Sequence, residues 1–148
     1  LDIACHCDFR ICSEDARFAE SYVNMGLVPG AGGCWVLPRV VGLPMALELA
    51  FTANLIDAEE AQRIGLVNHV YAKADLMEEA YKLARKIARK APISVRLIKR
   101  AIYQGMDMDI RAHLDQISSH MTLARASEDH TEAVNAFLEK RFPVFKGK

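Results

Sequence analysis

FAESYVNMGLVPGAGG, residues 18–33, carries four glycines and one proline in its last eight positions. Gly26, Pro29, Gly30, Gly32 and Gly33 would each weaken a regular element, because glycine loses the most backbone entropy on folding and proline lacks an amide donor. A chain that concentrates them is selecting backbone shape over side-chain packing. The apolar run Cys34, Trp35, Val36, Leu37 follows directly, which places a helix start within or just past the glycines. A helix N-terminus presents unpaired N–H groups and the positive end of the macrodipole, a setting that suits a carbonyl oxygen, a carboxylate or a phosphate.

Outward from that loop, the N-terminal residues LDIACHC put Asp2 and His6 one helical turn apart. DFRIC at 8–12 alternates like a strand, and Arg17, Phe18 and Ala19 form a second short one. On the other side, 34–41 reads as an apolar helix broken at Pro38 and ended by Gly42, and a further helix runs from Pro44 to about residue 52. Asp57 and Glu60 have capping-box spacing ahead of a helix that stops at Gly65, and LVNHVY at 66–71 reads as a strand. From residue 75 the pattern is helical. Leu76, Ala80, Leu83 and Ile87 mark one helix, Val95, Ile98 and Ile102 a second beginning at Pro92, and Ile110, Leu114, Ile117, Met121 and Ala124 a heptad-like seam on a third. A second capping box, Asp129 to Glu132, opens the last helix, which runs to about residue 141 ahead of a basic tail.

The 148 residues are one domain's worth of sequence, half of them apolar, and Lys plus Arg balance Asp plus Glu at 19 each. That balance argues against a nucleic-acid partner, and no apolar run approaches the ~20 residues needed to span a bilayer. The expected setting is cytoplasmic. Cys5, Cys7, Cys12 and Cys34 lack disulfide-framework spacing and read as reduced thiols; Cys5, His6, Cys7 and Cys12 do not form a zinc pattern, so no metal is expected. Four helices with apolar seams and only two or three strands cannot all bury their faces on one small sheet, which points to self-association through helices.

The blocks LDIACHCDFRIC, FAESYVNMGLVPGAGG with LPRVVG, LIDAEEAQRIGLVNHV and EAVNAFLEKRFPVFKGK, in that order, resemble the C-terminal half or slightly more of the crotonases, the enoyl-CoA hydratase/isomerase superfamily. The resemblance implies an α/β fold: residues 1–72 as the C-terminal part of a spiral core of ββα turns, and 73–148 as a helical region that builds a homotrimer or hexamer. It also implies an acyl-CoA thioester substrate in fatty-acid metabolism such as β-oxidation. No cofactor is implied beyond the coenzyme A of the substrate. In the family, two backbone N–H groups stabilise an enolate and acidic side chains move protons or activate water.

Carried over by position, Asp2 stands where hydratases have their first catalytic glutamate; a capping or solvated aspartate is the other reading. Tyr22 stands at the second glutamate. With a pKa of about 10 it cannot activate water in the same way, though it can donate a hydrogen bond or serve as a core aromatic. Glu20 shares a face with Tyr22 in extended chain but lies ~200° away in a helix, and is not expected to substitute. Gly26, Pro29 and Gly30 fall on the floor of the acyl pocket, and Val28, Pro29, Gly30 and Ala31 offer no acid of the kind some isomerases use. Lys140 falls at a CoA phosphate contact and Met121 at an adenine contact, although the tail charge and the heptad register account for these residues equally well. The family's oxyanion-hole segments would lie before Leu1, so the chain is expected to be part of a longer enzyme. The leading expectation is a 2-enoyl-CoA hydratase, with a double-bond isomerase or a non-catalytic acyl-CoA-binding or assembly module as alternatives.

Overall fold

The computed structural model describes residues 1–148, which divide into two compact units, Leu1–Ala80 and Tyr81–Lys148. The first opens with a single helical turn, α1 (Asp2–Cys5), followed by β1 (Ile11–Ser13) and β2 (Arg17–Phe18). A 3-10 turn (Tyr22–Met25) and the glycine loop lead into α2 (Gly33–Val41), and α3 (Leu43–Thr52), β3 (Ile56–Asp57), α4 (Ala58–Arg63) and β4 (His69–Tyr71) complete the order. β1 pairs in parallel with β4, Cys12 opposite Val70, and β2 pairs antiparallel with β3, Phe18 opposite Ile56.

The strands are shorter than the alternation suggests because backbone and side-chain bonds replace the ladder at their ends. Arg10 N–H donates to Asn68 Oδ1 at 2.8 Å and Asn68 N–H returns a bond to the Arg10 carbonyl at 2.7 Å. The Arg10 guanidinium then reaches the carbonyls of Leu66 and Cys7, each at 2.6 Å. This strap lets Leu66 and Val67 turn fully inward without strand geometry. They join Cys5, Cys12, Val36, Leu37, Leu49 and Ala61 in the core of this unit. Complete burial of a leucine such as Leu66 contributes about 1.5–3 kcal/mol.

Helix α2 runs through Pro38 instead of breaking there. The proline removes one bond to the Cys34 carbonyl, a local loss that does not outweigh burial of Val36 and Leu37 just before it. At α4 only half of the expected capping box forms. Asp57 Oδ1 accepts from Glu60 N–H at 2.9 Å, but the Glu60 carboxylate turns to Arg63, 2.6 Å from each of two guanidinium nitrogens. The bidentate ion pair is the better acceptor geometry for that side chain.

Helix α5 (Leu76–Ala88) crosses from the first unit into the second, which continues with α6 (Pro92–Gly105), α7 (Ile110–Arg125) and α8 (Glu128–Leu138). Asp109 caps α7 as a pure acceptor for the N–H groups of Arg111 and Ala112. The heptad-like residues of α7 are not a buried seam of this chain: Ile110, Leu114 and Met121 are each more than half exposed. Helices α6 and α7 pack together, and His113 and Gln116 lie on the covered side of α7, where Gln116 donates to Gln104 and Gly105 sits under the His113 ring.

The second capping box is also reassigned. Ser127 is the N-cap of α8, its hydroxyl accepting from His130 N–H at 3.1 Å. Asp129, 2% exposed, instead receives the tail: its two oxygens accept from Lys146 N–H at 2.7 Å and Gly147 N–H at 2.9 Å. Glu132 completes the clasp with a bidentate pair to Arg141, at 2.6 and 2.9 Å, and accepts from Val144 N–H at 2.8 Å. These donors hold the Glu132 carboxyl down at about 2, with Arg141 the largest cause.

Because that value lies below the ordinary 4.5, the clasp contributes fully above pH ~4.5 and is lost as pH falls towards 2. Proteolysis of residues 142–148 should therefore accelerate as pH is lowered through that window. Glu132→Gln should show the fast rate already at neutral pH.

Candidate functional site

The site is assembled where α1 meets the glycine loop. Gly32, at φ 86°, is the N-cap of α2, and Gly33 is the first helical residue. The left-handed turn at Gly32 swings the loop over α1, so that the peptide of Ala31 is gripped from both sides by residues one turn apart. Ala31 N–H donates to Asp2 Oδ2 at 3.3 Å, and the Ala31 carbonyl lies 2.9 Å from His6 Nε2. The Asp2 carboxyl, 4% exposed, then lies directly against Gly33. A Cβ there would collide with Asp2 Oδ1 and come within 2.7 Å of both Asp2 Cγ and Pro29 Cβ. Only glycine admits the carboxyl to this helix end, where the macrodipole favours negative charge.

A second carboxyl shares the pocket. Glu20 is 2% exposed and lies within hydrogen-bonding reach of Asp2. Asp2 Oδ1 and Glu20 Oε2 are both buried without a hydrogen-bond partner. When both carboxyls are ionised they are acceptors only, so neither can satisfy the other. Burial is the largest cause pushing the Glu20 carboxyl up to about 7, followed by the hydrogen bond and the charge of Asp2. A proton retained on Glu20 converts the repulsion into a donor–acceptor contact.

Tyr22, at the position corresponding to the second acid, is half-buried and opens the 3-10 turn, its carbonyl accepting from Leu27 N–H at 3.1 Å. Glu20, passed over at the sequence level, is the acid that the fold brings to Asp2. Its signal was positional. Phe18 ends β2 facing the core, and in extended chain the residue two further on points the same way. The turn starts only at Tyr22, so the helical alternative for Glu20 does not arise. Gly26 closes the turn at φ 66°, Pro29 packs beside Gly33 and Gly30 is exposed.

In the second unit, Lys140 is exposed just past α8 with φ 56°, and Met121 is exposed on α7. Arg141, next to Lys140, is committed to Glu132 and Glu139. All four cysteines are free thiols, Cys5 and Cys12 buried, Cys7 and Cys34 exposed. No helix is long and apolar enough to cross a membrane.

Gly33→Ala tests the close approach. The added methyl should cost about 1–3 kcal/mol through overpacking, read as a lower midpoint in denaturant. The carboxyl carbon signals of Asp2 and Glu20 should move more than those of carboxyls elsewhere.

The chain can be compared with known proteins on this geometry. It superposes on the crystal structure of an enoyl-CoA hydratase from Bacillus anthracis with a TM-score of 0.94 at 39% identity, covering 97% of this chain and 56% of that one. It is 46% identical over 140 residues to a short-chain-enoyl-CoA hydratase of Clostridium acetobutylicum, covering 95% of this chain and 54% of the relative. It is 42% identical over 147 residues to a crotonyl-CoA hydratase of Syntrophomonas wolfei, covering 99% and 56%. The chain thus spans about half the length of these curated relatives. The family model described as enoyl-CoA hydratase/isomerase matches residues 1–148. With that match over the whole given sequence and relatives of this identity, the chain belongs to the enoyl-CoA hydratase/isomerase family.

Proposed function

We propose that this protein hydrates a short-chain 2-enoyl-CoA thioester, with Asp2 as the acid/base group. The observation that carries the reading is the buried Asp2 carboxyl, held by Ala31 N–H at the N-terminus of α2. A carboxylate so placed can take a proton from water as the water oxygen bonds to the β-carbon and the double-bond electrons move towards the thioester carbonyl. Protonation of the resulting enolate at the α-carbon completes the addition, with no net change in the enzyme. The names of the relatives support hydration, and the Val28 to Ala31 loop carries no acid of its own that would favour double-bond migration.

The same proposal places Lys140 against the phosphates of coenzyme A, a role supported by its exposure beyond α8. It includes self-association into a homotrimer or hexamer through the exposed apolar faces of the helical region, where Ile110, Leu114 and Met121 stand. Sedimentation as a monomer at micromolar concentration would remove that part. A cytoplasmic role in acyl-CoA breakdown, such as β-oxidation, goes with the reading.

Full-length protein given crotonyl-CoA in oxygen-18 water should yield a labelled 3-hydroxyacyl product. Migration of the double bond without added mass would assign an isomerase, and binding without turnover an acyl-CoA-binding module. Asp2→Asn should lower kcat by about 10²- to 10⁴-fold, the usual range for a positioned acid or base. An unchanged rate would remove Asp2 from the chemistry. Lys140→Ala should raise KM several-fold and leave kcat unchanged, as expected for lost binding that is equal in ground and transition states.

A further inference from the structure

Resting on the hydration reading, we propose that Glu20 is a positioning residue for Asp2: its carboxyl holds a proton and donates it in a hydrogen bond to the Asp2 carboxylate, making a dyad with one proton and one negative charge. Three observations converge. Both side chains are buried, Glu20 at 2% and Asp2 at 4% exposure, so water cannot satisfy them. Each has one buried oxygen without a partner, Glu20 Oε2 and Asp2 Oδ1, a deficit that a shared proton relieves. The pocket is also asymmetric. Asp2 has Ala31 N–H and the first turn of α2 against it, whereas burial and the neighbouring carboxylate dominate at Glu20. The one backbone donor and the helix N-terminus are at Asp2, so the negative charge belongs there and the proton at Glu20.

The groups acting on Glu20 are few. Asp2 raises its affinity for a proton, and the Cys5 thiol, itself raised chiefly by burial, lies within the same electrostatic neighbourhood. With the Glu20 carboxyl pushed up to about 7, the proton is present below neutrality and lost above it.

In the reaction, Asp2 accepts a proton from the attacking water and returns one to the α-carbon. Glu20 keeps its proton, steering the Asp2 oxygens while the charge on Asp2 comes and goes. The dyad ends as it began, and no outside donor is required. Above neutrality a second negative charge beside Asp2 removes the steering donor and raises the cost of bringing an enolate near.

The test is the pH profile of kcat/KM for crotonyl-CoA in full-length protein. Wild type should decline as pH rises through about 7. Glu20→Gln, whose carboxamide can donate to Asp2 but cannot ionise, should keep activity within about threefold at pH 6 and lose that decline. Glu20→Ala should fall by about ten- to a hundredfold at pH 6, the scale of a lost hydrogen bond to a charged group, and the gap to wild type should close as pH rises through about 7. A Glu20→Gln profile with the wild-type decline, or Glu20→Gln as inactive as Glu20→Ala, overturns the proposal.

The infrared carbonyl band of a protonated carboxyl separates this idea from the hydration reading, since it needs no substrate. Wild type should show a band that disappears as pH rises through about 7 and that Glu20→Gln removes. Its presence in a protein inactive on crotonyl-CoA would uphold the dyad while the hydration reading fails. Its absence would overturn the dyad whatever the activity.

Discussion

The grip of α1 on the Ala31 peptide is the contact on which the rest of the site depends. Asp2 takes its N–H and the His6 ring meets its carbonyl, so a four-residue helix and the residue that caps it fix both the position and the rotation of one peptide plane. That plane leads directly into Gly32 and Gly33 and so sets where α2 begins. The direction of α2 is then maintained by Val36 and Leu37 in the core. Backbone shape, helix start and carboxyl placement are consequently one constraint.

Two carboxyls in this chain are coupled to the fold with opposite signs. Glu132 binds its proton less tightly when folded, because Arg141 and Val144 N–H favour its charge. Glu20 binds its proton more tightly when folded, so its contribution is full below the ordinary value of 4.5 and is lost as pH rises through about 7. One holds a tail by being charged; the other is tolerated in a dry pocket by being neutral. The contrast follows from the neighbours: guanidinium and amide donors in one case, a second acid in the other.

The glycine loop was legible as a shape before its partner was known. Its left-handed turn and close approach needed residues without a Cβ, and the helix end behind it suited an anion; that anion turns out to include the chain's own Asp2. The cap at Asp57 was equally legible, since its acceptor lies three residues from its donor. Local spacing failed where a long-range partner competed. Asp129 has the spacing of a cap but is taken by Lys146 and Gly147, leaving Ser127 to cap α8. At Glu60 the competitor is itself local, Arg63 three residues on, whose fork offers two donors to the carboxylate. The strands near Arg10 and Asn68 were overextended because alternation reports which way side chains face, and cannot report that a guanidinium will replace the ladder. Glu20 was read as an acid not expected to stand in for the one at position 22, and its placement hinges on where an extended segment stops and a turn begins.

Trp35, the only tryptophan in the sequence, stands on the first turn of α2, its backbone N–H bonded to the Gly32 carbonyl at 2.9 Å and its ring beneath the Arg39 guanidinium at 3.8 Å. It is half exposed and only two residues from the glycine against which Asp2 rests. The molecule therefore carries an intrinsic fluorophore on the element that shapes its buried acid pair. Any event that lifts the helix start, whether ligand entry, loop opening or ionisation of the pair, acts within one turn of that indole, so the state of the site can be followed optically without attaching a label.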